Sequence, residues 1–186
     1  MDWYSAVTYA NWLSTQAGLT ECYTLSGCTT PATGWHDGIH SGCTGATFTG
    51  PSCTGYRLMT ESEWERAARS GTTTDYYWGA STIADFAWYS VNAGGRSQLV
   101  GGKTSNAYGL FDMSGNVMEW VWDRYVAAYP TVATSDYTGA VSGSSRGLRG
   151  GSWNNSAPNL RSAYRGNFSP TDRNIGLGLR LARTTP

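Results

Sequence analysis

The sequence predicts an α+β fold, and three observations support that expectation. Two segments near the start, at about 2–18 and 60–70, carry helix caps and apolar residues at helical spacing. Later segments are short apolar pieces separated by turns. Glycine accounts for 24 of the 186 residues and only 14% of residues are charged, which is typical of a loop-rich chain with many tight turns. Helices early and strands late indicate α+β rather than an alternating α/β arrangement.

The first helix is expected to follow Asp2 and to end at Gly18. Aspartate is a favoured N-cap because its carboxylate accepts hydrogen bonds from the free N–H groups of the first turn. Trp3, Val7 and Ala10 recur at helical spacing, so this helix should be amphipathic and half buried.

The second helix is expected at about 60–70. Thr60 and Glu63 have the spacing of a capping box, in which each residue binds the other's backbone N–H group. Trp64 and Ala68 follow, and Gly71 is placed to close the segment.

Short strands are expected in the second half of the chain. Residues 118–123 alternate Met, Trp and Trp with Glu, Val and Asp, and brief apolar pieces recur near 148–153, 160–164 and 177–182. Residues 131–146, rich in Ser, Thr, Ala and Gly, are expected to form a long surface loop.

Clustered cysteines predict local cross-links. All four lie within residues 21–56, and their gaps of five, fourteen and nine residues do not resemble the short paired spacings of a zinc site, so two disulfides are expected. Disulfides favour an extracytoplasmic location or a cell or virion surface. His36 and His40 lie in the same stretch and are interpreted as ordinary loop residues, because neighbouring glycines argue against a helical metal site. Three pairings are open for the four cysteines, Cys22, Cys28, Cys43 and Cys53.

Charge is balanced in total and uneven along the chain. Thirteen basic and thirteen acidic residues give a net charge of zero, which favours neither nucleic acid nor an anionic membrane as a partner. From residue 146 onwards there are seven Arg and one acid, Asp172. These Arg could form an anion-binding patch, but we expect their guanidinium groups to bind loop carbonyls and carboxylates instead. No apolar run approaches the roughly 18–20 residues of a membrane helix, so no membrane insertion is expected.

Common catalytic motifs are missing, among them the nucleophile elbow, the P-loop and the HExxH zinc motif. Segment 109–120 differs from the rest, because Asp112 and Glu119 flank a glycine turn. Carboxylate and carbonyl oxygens in such a turn suit Ca²⁺. The alternative is a turn in which Asp112 and Asn116 only bind the backbone, and the spacing leaves both interpretations open.

Four blocks of sequence, in order, resemble one known family. They are GYRLMTESEWE at 55–65, NAYGLFDMSGNVMEW at 106–120, LRGGSW at 148–153, and LRSA at 160–163 together with GLR at 178–180. These blocks look like the formylglycine-generating enzyme, or sulfatase-modifying factor, domain family. The resemblance implies a variant of the C-type lectin fold with little regular structure.

The resemblance also implies an organisation and a metal site. Residues 1–186 would form a single domain without the strands that usually open the family's domain. We therefore expect the last strand, near 177–181, to present an open edge that can pair with another chain. The family's calcium site maps to Asp112, Gly115, Val117 and Glu119.

Catalytic residues of the family do not carry over. Formylglycine-generating enzymes hold copper with a cysteine pair just after the Gly-Gly-Ser block, whereas residues 153–159 here read WNNSAPN. Without thiolates there is no soft site for Cu(I), so neither copper nor the oxidase reaction is expected. The related sulfoxide synthases of ergothioneine synthesis depend on histidine ligands from another domain, and this chain has two histidines. No catalytic residue is assigned.

The C-terminal stretch, 149–183, resembles the variable region of diversity-generating retroelement proteins. A frame rich in Arg and Gly is filled with Asn, Ser, Tyr and Phe, a mixture that suits a binding surface. The alternative is an ordinary family member whose Asn residues hold turns and caps. Loops of 153–176 would form the ligand face, made by Trp153, Asn154, Asn155, Ser156, Asn159, Tyr164, Gly166, Phe168, Ser169, Thr171, Asp172, Asn174 and Ile175.

Two functional interpretations follow from these resemblances. The first is a non-catalytic domain that binds a protein or another surface ligand through this face. The second is an enzyme or accessory protein of the family that acts on a sulfatase-type or other protein substrate.

Overall fold

The computed structural model describes residues 1–29, 42–129 and 137–185, and it confirms the α+β class. Helices early in the chain are followed by short strands linked by long irregular segments. The helices are α1 (Trp3–Gln16) and α2 (Glu61–Arg69), with 3-10 turns at Ile83–Asp85 and Ala157–Leu160. The strands are β1 (Tyr23–Ser26), β2 (Gly45–Phe48), β3 (Arg57–Leu58), β4 (Met118–Arg124), β5 (Arg146–Arg149), β6 (Arg165–Phe168), β7 (Leu177–Leu179) and β8 (Leu181–Ala182).

Helix α1 begins and ends where the sequence predicts. The Asp2 carboxylate accepts a hydrogen bond from the Ser5 N–H at 2.7 Å, which caps the first turn. Gly18 adopts a left-handed φ of 67° just beyond the helix. Trp3 and Val7 are fully buried, so one face of the helix forms part of the core.

Helix α2 has the predicted capping box. The Thr60 hydroxyl accepts from the Glu63 N–H at 3.3 Å, and the Glu63 carboxylate accepts from the Thr60 N–H at 2.8 Å. Ser70 (φ 45°) and Gly71 (φ 93°) both adopt left-handed conformations and end the helix. Trp64 is buried on the inner face.

Four strands form the largest sheet, in the order β6-β5-β4-β7. Strand β4 pairs antiparallel with β5 and parallel with β7. Two smaller pairs complete the strands of the described residues, β1 with β2 and β3 with β8. In the described part of the chain β7 has one neighbour, which agrees with the expected open edge; its pairing with another chain stays a prediction.

One predicted strand is wrong, and three strands, β1, β2 and β3, were not predicted. Residues 160–164 follow a 3-10 turn, and the strand begins only at Arg165. Pro158 lies in that turn, where its fixed φ and missing N–H favour a helical start over a sheet. Strands β1 and β2 lie in the cysteine-rich stretch, whose Gly, Thr and Ser content indicated only loop.

Two buried clusters form the core. The larger joins α1 to the sheet through residues such as Trp3, Trp120 and Leu148. The smaller lies under α2 and contains Trp64 and Met113. Strand β4 contributes to both clusters, because both of its faces are buried over most of its length.

Both expected disulfides are present, and the structure gives their pairing. Cys22 bonds Cys53, and Cys28 bonds Cys43 within the span that the first bond closes. His36 and His40 lie outside the described residues, as does the first part of the expected loop at 131–146. Residues 137–145 have no regular structure, and Arg146 already belongs to β5. Neither α-helix in the described ranges has the length and apolar character that a bilayer crossing requires.

Candidate functional site

The C-terminal segment between β5 and β6 is held from beneath by Arg149. This side chain is fully buried, and its NH1 group donates to the carbonyls of Ala163 (3.1 Å) and Tyr164 (2.7 Å). Its NH2 group donates to the Ser162 carbonyl at 2.8 Å and to the Glu65 carboxylate. One guanidinium therefore fixes the path of three consecutive backbone groups and links them to α2.

Arg173, whose side chain is 56% exposed, anchors the segment between β6 and β7 through an ion pair. Its Nε donates to Asp2 Oδ2 at 2.6 Å, while the other oxygen of Asp2 caps α1. The Trp3 N–H donates to the Pro170 carbonyl at 3.1 Å. The loop therefore rests on the N-terminus of α1 and is fixed there by one carboxylate with two roles.

The contacts expected of the C-terminal arginines are confirmed at five of the seven positions, Arg149, Arg161, Arg165, Arg173 and Arg180. Arg165 pairs with Glu61, Arg180 with Glu119, and Arg161 donates to the Pro158 carbonyl. These contacts are the carbonyl and carboxylate bonds expected from the planar guanidinium group.

The predicted ligand residues lie in two separate areas rather than at a single spot. Trp153 Nε1 donates to the Ile175 carbonyl at 3.5 Å, which brings the loops after β5 and before β7 together. Tyr164 and Phe168 flank or lie on β6, at the opposite edge of the sheet. Three strand spacings separate those edges, about 14 Å. The loop at 169–174 connects the two areas.

Exposure differs among these residues. Six of the thirteen candidates are half buried. Gly166 is one of these six, and an added Cβ there would approach Met118 Cε to 2.5 Å, so a side chain at this position would point into the core. Ile175 is 78% exposed and Phe168 is 40% exposed. The exposed members are Asn154, Ser156, Phe168, Thr171, Asp172, Asn174 and Ile175.

Several of the polar candidates also hold the backbone. Asn155 Oδ1 accepts from the Ser152 N–H at 2.9 Å, and Asn174 Oδ1 accepts from the Gly176 N–H at 2.8 Å. Asp172 Oδ2 similarly accepts from the Ser169 N–H at 3.0 Å. These are the turn-holding contacts of the alternative interpretation, and they coexist with exposed side chains on the same loops.

Three of the four predicted metal residues line one pocket of about 440 Å³, namely Asp112, Val117 and Glu119. Gly115 lies in the turn between them, at φ 79° and close to the backbone of Trp88. Asp112 Oδ2 accepts from the Gly101 N–H at 2.7 Å, whereas its Oδ1 is buried without a hydrogen-bond partner. A buried carboxylate oxygen of this kind is a fit for a bound cation.

The second carboxylate of the pocket, Glu119, already has a positively charged partner. Glu119 accepts from Trp64 Nε1 at 2.7 Å and pairs with Arg180 at 2.8 Å. Burial acts to lower the pKa of Arg180, but Glu119 and, less strongly, Asp112 outweigh it and raise that pKa above its ordinary value. No group of three His, Cys, Asp or Glu side chains suited to a metal occurs within the described residues, so a cation here would need backbone carbonyls as ligands.

The loop at 98–101 completes this pocket, and sequence reasoning missed it. The Gln98 N–H donates to Asn116 Oδ1 at 3.0 Å, and Gly101 binds Asp112. Leu99 is 89% exposed beside these contacts. The sequence offered one signal for this loop, the Gly-Gly pair at 101–102, which indicates a turn. It does not indicate that the turn contacts Asp112.

Fold and site together define a C-type-lectin-like scaffold that presents loops from its C-terminal half. The chain belongs to the sulfatase-modifying factor family: the Sulfatase-modifying factor enzyme 1-like domain matches residues 1–185. This result confirms the resemblance seen in the sequence.

Three relatives illustrate the range of the family. The chain is 37% identical to the solved structure of Treponema denticola variable protein 1, with a TM-score of 0.87, over 98% of this chain and 69% of that one. It is 30% identical over 203 residues to the chaperone protein LppX of Paenibacillus barcinonensis, covering 99% of this chain and 68% of that protein. It is 34% identical over 149 residues to the formylglycine-generating enzyme of Streptomyces coelicolor, covering 69% of this chain and 46% of the enzyme.

Proposed function

We propose that this chain is a non-catalytic ligand-binding domain whose ligand face is made by the loops of residues 153–176. The observation that carries the proposal is that some side chains of this segment fix the loops in place while others are exposed to solvent. Buried Arg149 holds the backbone of residues 162–164 and Arg173 pairs with Asp2, while other side chains of the same loops, such as Phe168 and Ile175, are exposed. Exposed positions of this kind can change without loss of the scaffold.

The chemistry of the exposed side chains supports a protein or other surface ligand. Aromatic and aliphatic groups offer contact area, and Asn, Ser and Thr offer adaptable hydrogen bonds. The similarity to a Treponema protein named a variable protein supports diversification of this face. The two disulfides point to an oxidising, extracytoplasmic compartment, and we place the ligand at a cell or virion surface.

The cysteines support a binding role over the oxidase chemistry of related enzymes. All four are consumed in disulfides, so the chain offers no thiolate to copper. Similarity to the Streptomyces formylglycine-generating enzyme favours the rival function, an enzyme or accessory protein of the family. Oxygen-dependent conversion of a sulfatase-type cysteine peptide by the copper-treated protein would establish that rival and reject the binding-only proposal.

Sequencing the DNA around the gene tests diversification directly. We expect a reverse transcriptase and a near-copy of codons 149–183 that differs only where the copy has adenines. A single, unrepeated copy without a reverse transcriptase would reject diversification.

Binding is tested by measuring which cell-surface proteins are retained by each of three forms of the protein, the wild type and two variants. The triple variant N154A/F168A/I175A alters the exposed face, and V91A/L99A alters exposed residues outside it. We expect the wild type and V91A/L99A to retain the same partner and the face variant to lose it. Equal retention by all three forms would show that the ligand binds elsewhere.

We also propose a Ca²⁺ site formed by Asp112, Gly115, Val117 and Glu119. The buried, unpartnered oxygen of Asp112 supports it, and Arg180 would compete for Glu119. Calcium should raise the Tm of the wild type, because a ligand at 100 times its Kd stabilises the fold by about 2.7 kcal/mol. The variant D112N should lose this shift in Tm, with MgCl₂ and EDTA as controls. An unchanged Tm of the wild type in millimolar calcium would reject the site.

A further inference from the structure

A second pocket of about 470 Å³ adjoins strand β5, where Arg146 pairs in register with Phe168 of the ligand face. It opens between β2 and β4 and is bounded by the segment 138–141. None of its lining residues belongs to the loops of 153–176 or to the candidate calcium site. The pocket is therefore built from residues outside both proposed sites.

Two arginines supply the charge of this pocket. Arg124 and Arg146 both line it, and none of the lining residues, all within the described part of the chain, is acidic. Neither arginine takes part in an ion pair among the described residues. By contrast, Arg165 and Arg180 each contact a carboxylate.

Arg146 is the more deeply buried of the pair, at 5% exposure. Its guanidinium carbon lies 3.7 Å from the ring centroid of Trp3 and 4.7 Å from that of Trp122. Its NH1 group donates to the Trp122 carbonyl. Burial, and next the like charge of Arg124, lower the pKa of Arg146 to about 10.

Asp123 acts on the positive charge of Arg146 but forms no ion pair with it. Asp123 follows Trp122 on β4, and its charge acts favourably on Arg146. Its Oδ2 atom, however, accepts from the Glu61 N–H at 2.7 Å at the start of α2. Asp123 lines a smaller adjacent pocket, of which Arg124 is also a lining residue. A buried positive charge of this kind is costly unless an anion accompanies it.

The remaining walls are apolar or carry hydroxyl groups. Phe48 and Trp122 form the apolar side, with ring centroids 5.0 Å apart. Thr47 and Thr49 flank Phe48 on β2 and just beyond it. Such a mixture suits an organic body better than a bare inorganic ion.

We infer that this pocket binds a small organic anion, with its acidic group at Arg124 and Arg146 and its apolar part against Phe48 and Trp122. A carboxylate, a sulfate ester and a phosphate ester share the planar or forked oxygen pattern that guanidinium groups recognise. The inference does not depend on the function of the C-terminal loops.

Benzoate, phenyl phosphate and the uncharged benzamide are suitable probes, since all three carry the same ring. Binding is measured by calorimetry, and amide NMR shifts of residues 46–50 locate it. We expect benzoate or phenyl phosphate to bind more tightly than benzamide. Tighter binding of benzoate would indicate a carboxylic acid as the natural ligand, and tighter binding of phenyl phosphate a phosphate ester.

Variants separate this pocket from nonspecific attraction. R124Q removes the half-buried charge and should weaken binding of the anion by about tenfold, as expected for a charge-assisted hydrogen bond. R146K keeps the charge without the planar group and should weaken it also. R96Q, which removes an exposed arginine elsewhere, is the matched control and should bind as the wild type does.

Two results would overturn the inference. One is binding of benzamide that equals the binding of both anions. The other is equal affinity of R124Q and R96Q for the anions, which would place them outside this pocket. Thermal melts of R124Q and R96Q verify that both variants are folded, so loss of binding cannot be mistaken for loss of structure.

Discussion

At the scale of single residues, burial and partners decide what each charged side chain does. Arg149 is fully buried and joins Glu65 to three backbone carbonyls, whereas Arg161 is exposed and donates to the Pro158 carbonyl. An arginine therefore organises the buried backbone at position 149 and makes only a surface contact at position 161.

The variant R149M should lower the free energy of unfolding by about 3–5 kcal/mol, because it leaves the carbonyls of residues 162–164 without their donor and removes one of the two ion pairs of Glu65. Urea denaturation measures the change. R161M is the matched control, and we expect it to differ from wild type by less than about 0.5 kcal/mol. Equal losses for the two variants would contradict the central role of Arg149.

Asp123 makes stability depend on pH. It is 2% exposed, and burial raises its pKa from the ordinary 3.8 to about 7 against the effect of its hydrogen bond from Glu61. The folded chain therefore holds this proton more tightly than the unfolded chain does. Stability is then greatest below about pH 4 for this group, and it falls as pH rises towards 7.

The variant D123N should remove this dependence, since the amide keeps the acceptor oxygen and does not ionise. Unfolding in urea at pH 5 and pH 8 measures it. We expect wild type to lose more stability than D123N between the two values. Identical pH dependence of the two proteins would show that Asp123 is ionised throughout.

At the scale of elements, local signals were sufficient for the helices. Both α1 and α2 were predicted because their caps lie within four residues of their first turns. Strand β7 pairs with β4 across more than fifty residues, and no local pattern gives that partner or its parallel direction. Strands β1 and β2 depend on each other and on nearby disulfides, so their composition alone indicated loop.

The candidate site was predictable to a similar degree. The spacing of Asp112 and Glu119 placed both in one pocket, but Arg180 and the loop at 98–101 enter it from distant parts of the chain. Likewise, the composition of 153–176 suggested a surface, and only the structure separates inward Gly166 from exposed Ile175. The sequence did not reveal contacts between residues that lie far apart along the chain.

The capping box of α2 gives the prediction at this scale. T60A removes a buried hydroxyl that accepts the Glu63 N–H, and it should lower the free energy of unfolding by about 1 kcal/mol. S62A, an exposed change in the same first turn, is the control. Thermal or urea unfolding measures both, and a larger loss for S62A would contradict the assigned role of the cap.

At the scale of the whole molecule, the end of the chain closes the fold. Strand β7 pairs with β4, β8 pairs with β3, and Arg180 between them binds Glu119. The first helix is also involved, because Trp3 and Asp2 hold the loop before β7. Early and late segments therefore stabilise each other.

A chain that ends after Gly176 should fail to fold cooperatively, since it lacks both final strands. A chain that ends after Thr184 keeps them and is the control. Circular dichroism and NMR dispersion distinguish the two outcomes. A well-dispersed spectrum from the shorter chain would show that β7 and β8 are dispensable.

The position of the exposed loops before these closing strands has a consequence for gene variation. A stop codon anywhere in the part that encodes 153–176 deletes β7 and β8 together with everything that they complete. Truncated products would then be cleared as unfolded chains instead of being displayed. In a library randomised at the loop positions, variants with a stop codon would fail to fold and be lost. Nearly every folded molecule would then carry the complete set of loops.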